Sequence, residues 1–191
     1  MNILSSLLFA ISANTDNFVV GLSYGIKKIR IARVSNLIIA LISLVGTILS
    51  MSLSKVILNY IPEFLASLIG SSILILLGVL TIAKPLLKRD SDSILDNPEK
   101  ADKDKSLNID AKESIALGLA LTINNVGLGI GASFAGLNIT ITALFTFVLS
   151  LLAIVVGFSL GSYYLSELFG KRATIISGLL IIALGLFEIL I

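Results

Sequence analysis

From Ser114 through Ser166 the chain carries no Asp, Glu, Lys or Arg. A run of that length cannot present a wetted surface, and as helix it can cross a bilayer twice, since one crossing takes about 20 mostly apolar residues. The rest of the chain agrees: 56% of residues are apolar and 14% charged, with a mean hydropathy of +1.04, against roughly 45–50% apolar in an ordinary soluble domain. Barrel strands would alternate in short segments, so the continuous runs mean helices. The expected fold is an all-α polytopic membrane protein.

Six spans are expected: Ile3–Ile26, Val34–Ser54, Phe64–Ala83, Ile115–Leu137, Ile139–Leu165 and Ala173–Ile191, with Gly136-Leu137-Asn138 dividing the long uncharged stretch. The first run lacks a basic leader and a small-residue cleavage pattern, so it is expected to be retained rather than cleaved as a signal. Lys27, Lys28, Arg30, Arg33, the Lys and Arg residues between Lys84 and Lys112, and Lys171 and Arg172 fall on one side of the membrane, with Lys55 alone opposite. Under the positive-inside rule both termini lie outside the cell membrane.

Cys and His are absent, which removes disulfides, imidazole catalysis and Cys/His metal sites, so any metal must be bound by oxygen. No catalytic triad, phosphate loop or carboxylate pair is present, and neither an enzyme nor a nucleic-acid partner is expected. The expected partners are the lipid bilayer and divalent metal ions, with no tightly bound cofactor. The oligomeric state stays open.

Ser43-Leu44, Ser50-Met51-Ser52-Leu53-Ser54 and Gly78 recur 107 residues later as Ser150-Leu151, Gly157-Phe158-Ser159-Leu160-Gly161 and Gly185. Near the start the offset becomes 108 and relates Asp16-Asn17-Phe18 and Gly21 to Asn124-Asn125-Val126 and Gly129. Residues 1–84 and 114–191 then form two three-helix repeats, and an odd span count gives them opposite polarity in the membrane, as in many secondary transporters. The charged segment 85–113 is a cytoplasmic linker between them. Ser43, Thr47, Ser50 and Ser54 share one face of the second span; Thr142, Thr146, Ser150, Gly157 and Gly161 share the matching face of the fifth. Such small-residue stripes mark helix interfaces.

Asp16 lies about 20 Å along the first span, near mid-membrane, where a carboxylate costs roughly 2.5–3.5 kcal/mol. Every Lys and Arg falls outside the hydrocarbon spans, so a cation, a proton or water must balance it. Asn17 accompanies it, and Asn124 and Asn125 occupy the matching place in the fourth span beside Gly127, Gly129 and Gly131. Two polar, glycine-flanked patches at matching depth suggest locally opened helices that offer hard oxygen ligands to a divalent ion. The competing reading is a protonated Asp16 clasped by the Asn pairs as a structural contact.

At the end of the linker Asp102, Asp104, Ser106, Asn108, Asp110 and Glu113 take positions 1, 3, 5, 7, 9 and 12 of a calcium loop, with Ile109 at the aliphatic position 8. Leu107 stands where that loop has Gly. The alternative is a solvated acidic linker in which Ile109 and Glu113 start the next helix.

Asp16-Asn17-Phe18-Val19-Val20-Gly21, its echo in the fourth span, and Gly170-Lys171-Arg172-Ala173 leading to Gly178 and Gly185 resemble the manganese efflux pump (MntP) family over nearly the whole chain. Tyr24-Gly25-Ile26-Lys27-Lys28-Ile29-Arg30-Ile31 and the calcium-like loop look most like its branch of sporulation membrane proteins, YtaF. The resemblance implies a six-helix exporter with inverted repeats, whose metal ligands are an acid in the first span, an acid in the fourth and a Glu or Gln in the second. Of these only Asp16 is kept; Asn124 and Ser43 stand at the other two positions, and Thr47 replaces the Pro expected after the latter. Two functions follow: a manganese-type divalent-cation transporter using Asp16, or a non-transporting structural or sensory membrane protein of sporulation.

Overall fold

The computed structural model describes residues 2–83 and 98–163, together with Leu179, Ile182 and Leu186. The first apolar run folds as two helices, α1 (Asn2–Ala13) and α2 (Thr15–Lys27), which meet at Asn14. A left-handed Lys28 ends α2, with the Lys28 and Ile29 amides donating back to the Gly25 and Tyr24 carbonyls. These bonds satisfy carbonyls that a helix end would otherwise leave bare. Then come β1 (Arg30–Ile31), α3 (Arg33–Leu58), α4 (Glu63–Ala83), a 3-10 turn (Pro98–Ala101), β2 (Asn108–Ile109), α5 (Ala111–Phe134) and α6 (Ile139–Tyr163).

Three helical stretches are long and apolar enough to cross a membrane, Ile3–Lys27, Arg33–Leu58 and Ile139–Tyr163, and α5 makes a fourth if its two arms, bent by 44° around position 124, count as one span. In α4 the apolar stretch Phe64–Leu80 is shorter. The sixth expected span lies outside the described residues except for Leu179, Ile182 and Leu186, which are helical; residues 84–97 of the linker lie outside them too. An all-helical expectation omits one element: β1 and β2 pair in parallel, Arg30 with Asn108 and Ile31 with Ile109. The pairing brings the end of the linker against the turn between α2 and α3.

Helices of the first half pack mainly on helices of the second: α2 on α6, α3 on α5 and α6, α4 on α5, and α1 on α6. Lipid tails are as apolar as the helices, so close contact rather than a hydrophobic drive must hold them together. Glycines permit it. A Cβ on Gly21 would run into the Ile154 backbone and one on Gly25 into Phe158; reciprocally, Gly157 faces the backbone of Phe18 and Gly161 that of Leu22. Below the α2–α6 contact, Val20, Tyr24, Ile29, Ile39, Ile109, Leu117, Leu121 and Ile154 form one buried cluster, which ties β2 to the helices.

Gly157→Ala therefore drives α2 and α6 apart and destabilises the protein by about 1–3 kcal/mol, the range for overpacking. Gly127→Ala places its Cβ at an ordinary 3.4 Å from the Leu77 side chain and leaves stability near wild type. Thermal unfolding of the two variants in detergent checks the contrast.

Candidate cation site at the broken helices

Where α1 stops at Ala13, its last carbonyls lose their helical donors. Side chains meet two of them: Thr15 Oγ1 donates to Ile11 at 3.3 Å and Asn125 Nδ2, from α5, to Ala13 at 2.7 Å, while the Ala10 carbonyl keeps the Asn14 amide at 3.2 Å and also takes Asn14 Nδ2 at 2.8 Å. The break is thus built from Asn and Thr, whose short polar side chains compete with the helix for its own backbone. It also begins a new helix directly before Asp16, which sits half-buried in the first turn of α2. The positive end of that helix favours a carboxylate by roughly 0.3–1 kcal/mol, more in partly buried geometry.

Asn17 is fully buried. Its Nδ2 donates to Asn14 Oδ1 at 2.9 Å and to Ser150 Oγ, on α6, at 2.8 Å. Asn14 Nδ2 also reaches the Thr146 carbonyl at 3.2 Å. Asn17 Oδ1 accepts from no described residue, and the buried hydroxyls of Thr122 and Thr146 have no partner either. An unpaired buried acceptor costs about 1–3 kcal/mol, so three oxygens here are open to a ligand. Ser43, Gly46, Thr47, Thr122, Asn125 and Thr146 line a partly open cavity of about 10 Å³, near the minimum for one water-sized occupant.

Of the residues expected from the sequence, Asn125 lines this cavity and Asn17 lies beside it through Ser150 and the Asn14–Thr146 bond. Asp16 is adjacent in α2 and is not part of the lining. Asn124 occupies the bend of α5, and its side chain lies outside the described residues. Thr146 and Ser150 were expected only as interface residues, and Ser43 and Thr47 also as replacements at exporter positions; Ser43, Thr47 and Thr146 line the cavity, and Ser150 bonds Asn17. Their signal was the matching of the Ser/Thr stripes at the depth of Asp16.

The linker end forms a second cluster. Carboxylate oxygens of Asp102, Asp104 and Glu113 lie within 4.8 Å of one another, with Asp102 and Glu113 buried. Asp102 accepts the amides of Ser106 and Leu107, each at 3.0 Å, and Glu113 Oε1 accepts that of Lys103 at 2.6 Å. Leu107 adopts φ 59° at the glycine position, a left-handed conformation that costs a non-glycine residue about 1–2 kcal/mol. Hydrogen bonds from Ser106, the side-chain hydroxyl first and the amide second, lower the pKa of Asp104 from its ordinary value. The other three expected ligands are differently engaged: Asp110 caps α5 by accepting the Glu113 amide at 2.8 Å, and the Ser106 hydroxyl donates to the Asn108 carbonyl at 3.0 Å. Ile109 is fully buried, and its carbonyl accepts from Ser35 Oγ at 2.8 Å.

Helices long and apolar enough to cross a membrane, with Ser, Thr and Asn side chains turned toward a small internal cavity, define a membrane protein. Residues 92–190 match the family described as "Putative manganese efflux pump", and the chain belongs to that family. It is also 28% identical over 210 aligned residues, covering 99% of this chain and all of the relative, to a protein of Bacillus subtilis (strain 168) named "Probable sporulation protein YtaF". No solved structure matches it.

Proposed function

We propose that the protein is a divalent-cation transporter of the manganese-efflux type, resident in the cell membrane with six spans and both termini outside. The observation that carries this reading is Asn17 Oδ1, a buried acceptor with no described partner, tied through Asn14 and Thr146 to a small polar cavity near the break of a membrane helix. In the proposed site Asp16 supplies the negative charge. Asn17, Asn124 and Asn125 supply neutral oxygens, joined by the hydroxyls of Thr122 and Thr146. Ligand charge helps set affinity, so a single carboxylate gives weaker binding and easier release than two.

Two inverted halves are supported by paired contacts. Asn17 bonds Ser150, and their equivalents Asn125 and Ser43 line one cavity. Gly25 abuts Phe158, and their equivalents meet where Ser133 Oγ donates to the Met51 carbonyl. The alternative function, a non-transporting membrane component of sporulation, draws on the relative's name and on the lack of acids at Asn124 and Ser43.

Proteoliposome flux separates the two. Wild type carries manganese, whereas Asp16→Asn keeps shape and hydrogen bonding but loses at least tenfold in rate, since the site's only protein charge is gone. Equal rates would remove Asp16 from the mechanism. No flux of any divalent cation by wild type would leave the non-transporting reading standing.

For the linker we propose a calcium loop whose ligand set is drawn from Asp102, Asp104, Ser106, Asn108, Asp110 and Glu113, supported by the convergence of three of its carboxylates. Calcium should slow trypsin cleavage after Lys103 and Lys105 in wild type but not in Glu113→Gln, a change that keeps the amide-accepting oxygen of the cap. Unchanged cleavage of wild type would overturn the calcium reading.

A further inference from the structure

A cleft of about 310 Å³ opens where α3 begins and α6 passes it, lined among others by Arg30, Arg33, Asn36, Val155, Phe158 and Ser159. It is separate from the cation cavity and shares no residue with it. Three features give it the chemistry of an anion site. Arg30 and Arg33 are both exposed and form no ion pair among the described residues. The N-cap residue Ala32 makes no side-chain cap to the first turn of α3, which leaves an uncapped helix start, a place that favours anions, next to Arg33. Asn36 is 8% exposed; its Nδ2 donates to the Leu151 carbonyl at 3.1 Å, while its buried Oδ1 accepts from no described residue.

The outer wall decides what kind of anion fits. Val155 is 53% exposed and Phe158 half-buried, and they continue into Leu152 and Val156 on the outward face of α6. A soluble phosphate would gain nothing from such a wall, whereas an acyl chain would lie along it. Among the described residues no carboxylate lines the cleft, so an ammonium headgroup finds no counter-charge among them. We propose that this cleft binds one anionic glycerophospholipid of the phosphatidylglycerol class. Arg30, Arg33 and the start of α3 take the phosphodiester, and a chain packs on Val155 and Phe158. Basic pockets between membrane helices are suited to such headgroups. The assignment depends only on membrane residence, not on cation transport.

The test is native mass spectrometry of the purified full-length protein, loaded with phosphatidylglycerol, phosphatidylethanolamine or phosphatidylcholine in equal amounts. Wild type should retain one phosphatidylglycerol at least tenfold more often than either of the others. Arg30→Gln with Arg33→Gln should reduce that preference to the phosphatidylcholine level. Lys27→Gln with Lys28→Gln removes equal charge outside the cleft and should leave it intact. Should the arginine pair fail to fold, Arg33→Glu, at an exposed position, gives the same readout. Equal loss in both double variants would mean unspecific attraction. Equal retention of phosphatidylethanolamine would mean a site indifferent to net charge, and displacement by millimolar inorganic phosphate would mean a soluble-anion site. Each of these results overturns the proposal.

Discussion

The hydrogen bond from Asn125 Nδ2 to the Ala13 carbonyl, 2.7 Å long, joins the two halves at the point where the first span is interrupted. In hydrocarbon an unsatisfied backbone group costs several kcal/mol, so an interrupted helix survives only where protein meets its freed carbonyls. Thr15 meets one of them locally, and Asn125 meets another from a different helix. The interruption gives Asp16 a helix N-terminus and turns Asn17 toward Ser150. The polar cavity and its open acceptors follow from this arrangement.

The glycine contacts make it geometrically reachable. Asn17 can bond Ser150 only because α2 and α6 run nearly backbone to backbone, with Gly21 and Gly25 facing Gly157 and Gly161. The same closeness leaves room for a small ion or water, rather than a larger solute, at the inner ends of the Ser/Thr stripes. The β1–β2 ladder and the buried Ile109 fasten the end of the linker to the turn between α2 and α3. An event in the acidic loop is therefore mechanically connected to α2, α3 and α5.

Much of this could be read from composition and spacing. Uncharged runs located the helices, and the recurrence of Asp16-Asn17 as Asn124-Asn125 pointed to opened helices at matching depth; the chain does break at Asn14 and bend around position 124. The acid spacing located a loop whose carboxylates converge. What could not be read was non-local. Nothing in the neighbourhood of Arg30–Ile31 announces a strand partner at Asn108–Ile109. Thr146 and Ser150 have the sequence of ordinary helix glue, and only the packing of α6 on α3 and α2 gives Thr146 its place in the cavity wall and Ser150 its bond to Asn17. Leu107 argued against a tight loop, because the hydrogen bonds from its amide and that of Ser106 to Asp102, which hold it left-handed, are visible only in three dimensions.

The central claim is that the cavity lined by Thr122, Asn125 and Thr146 receives a divalent cation held by the charge of Asp16. Crystals of the full-length protein soaked in manganese, with diffraction measured at the manganese absorption edge, test it most directly. The account predicts one anomalous peak within the cavity in wild type and its loss in Asp16→Asn. A peak confined to the Asp102 loop, or a cavity peak that persists without the Asp16 charge, would contradict it.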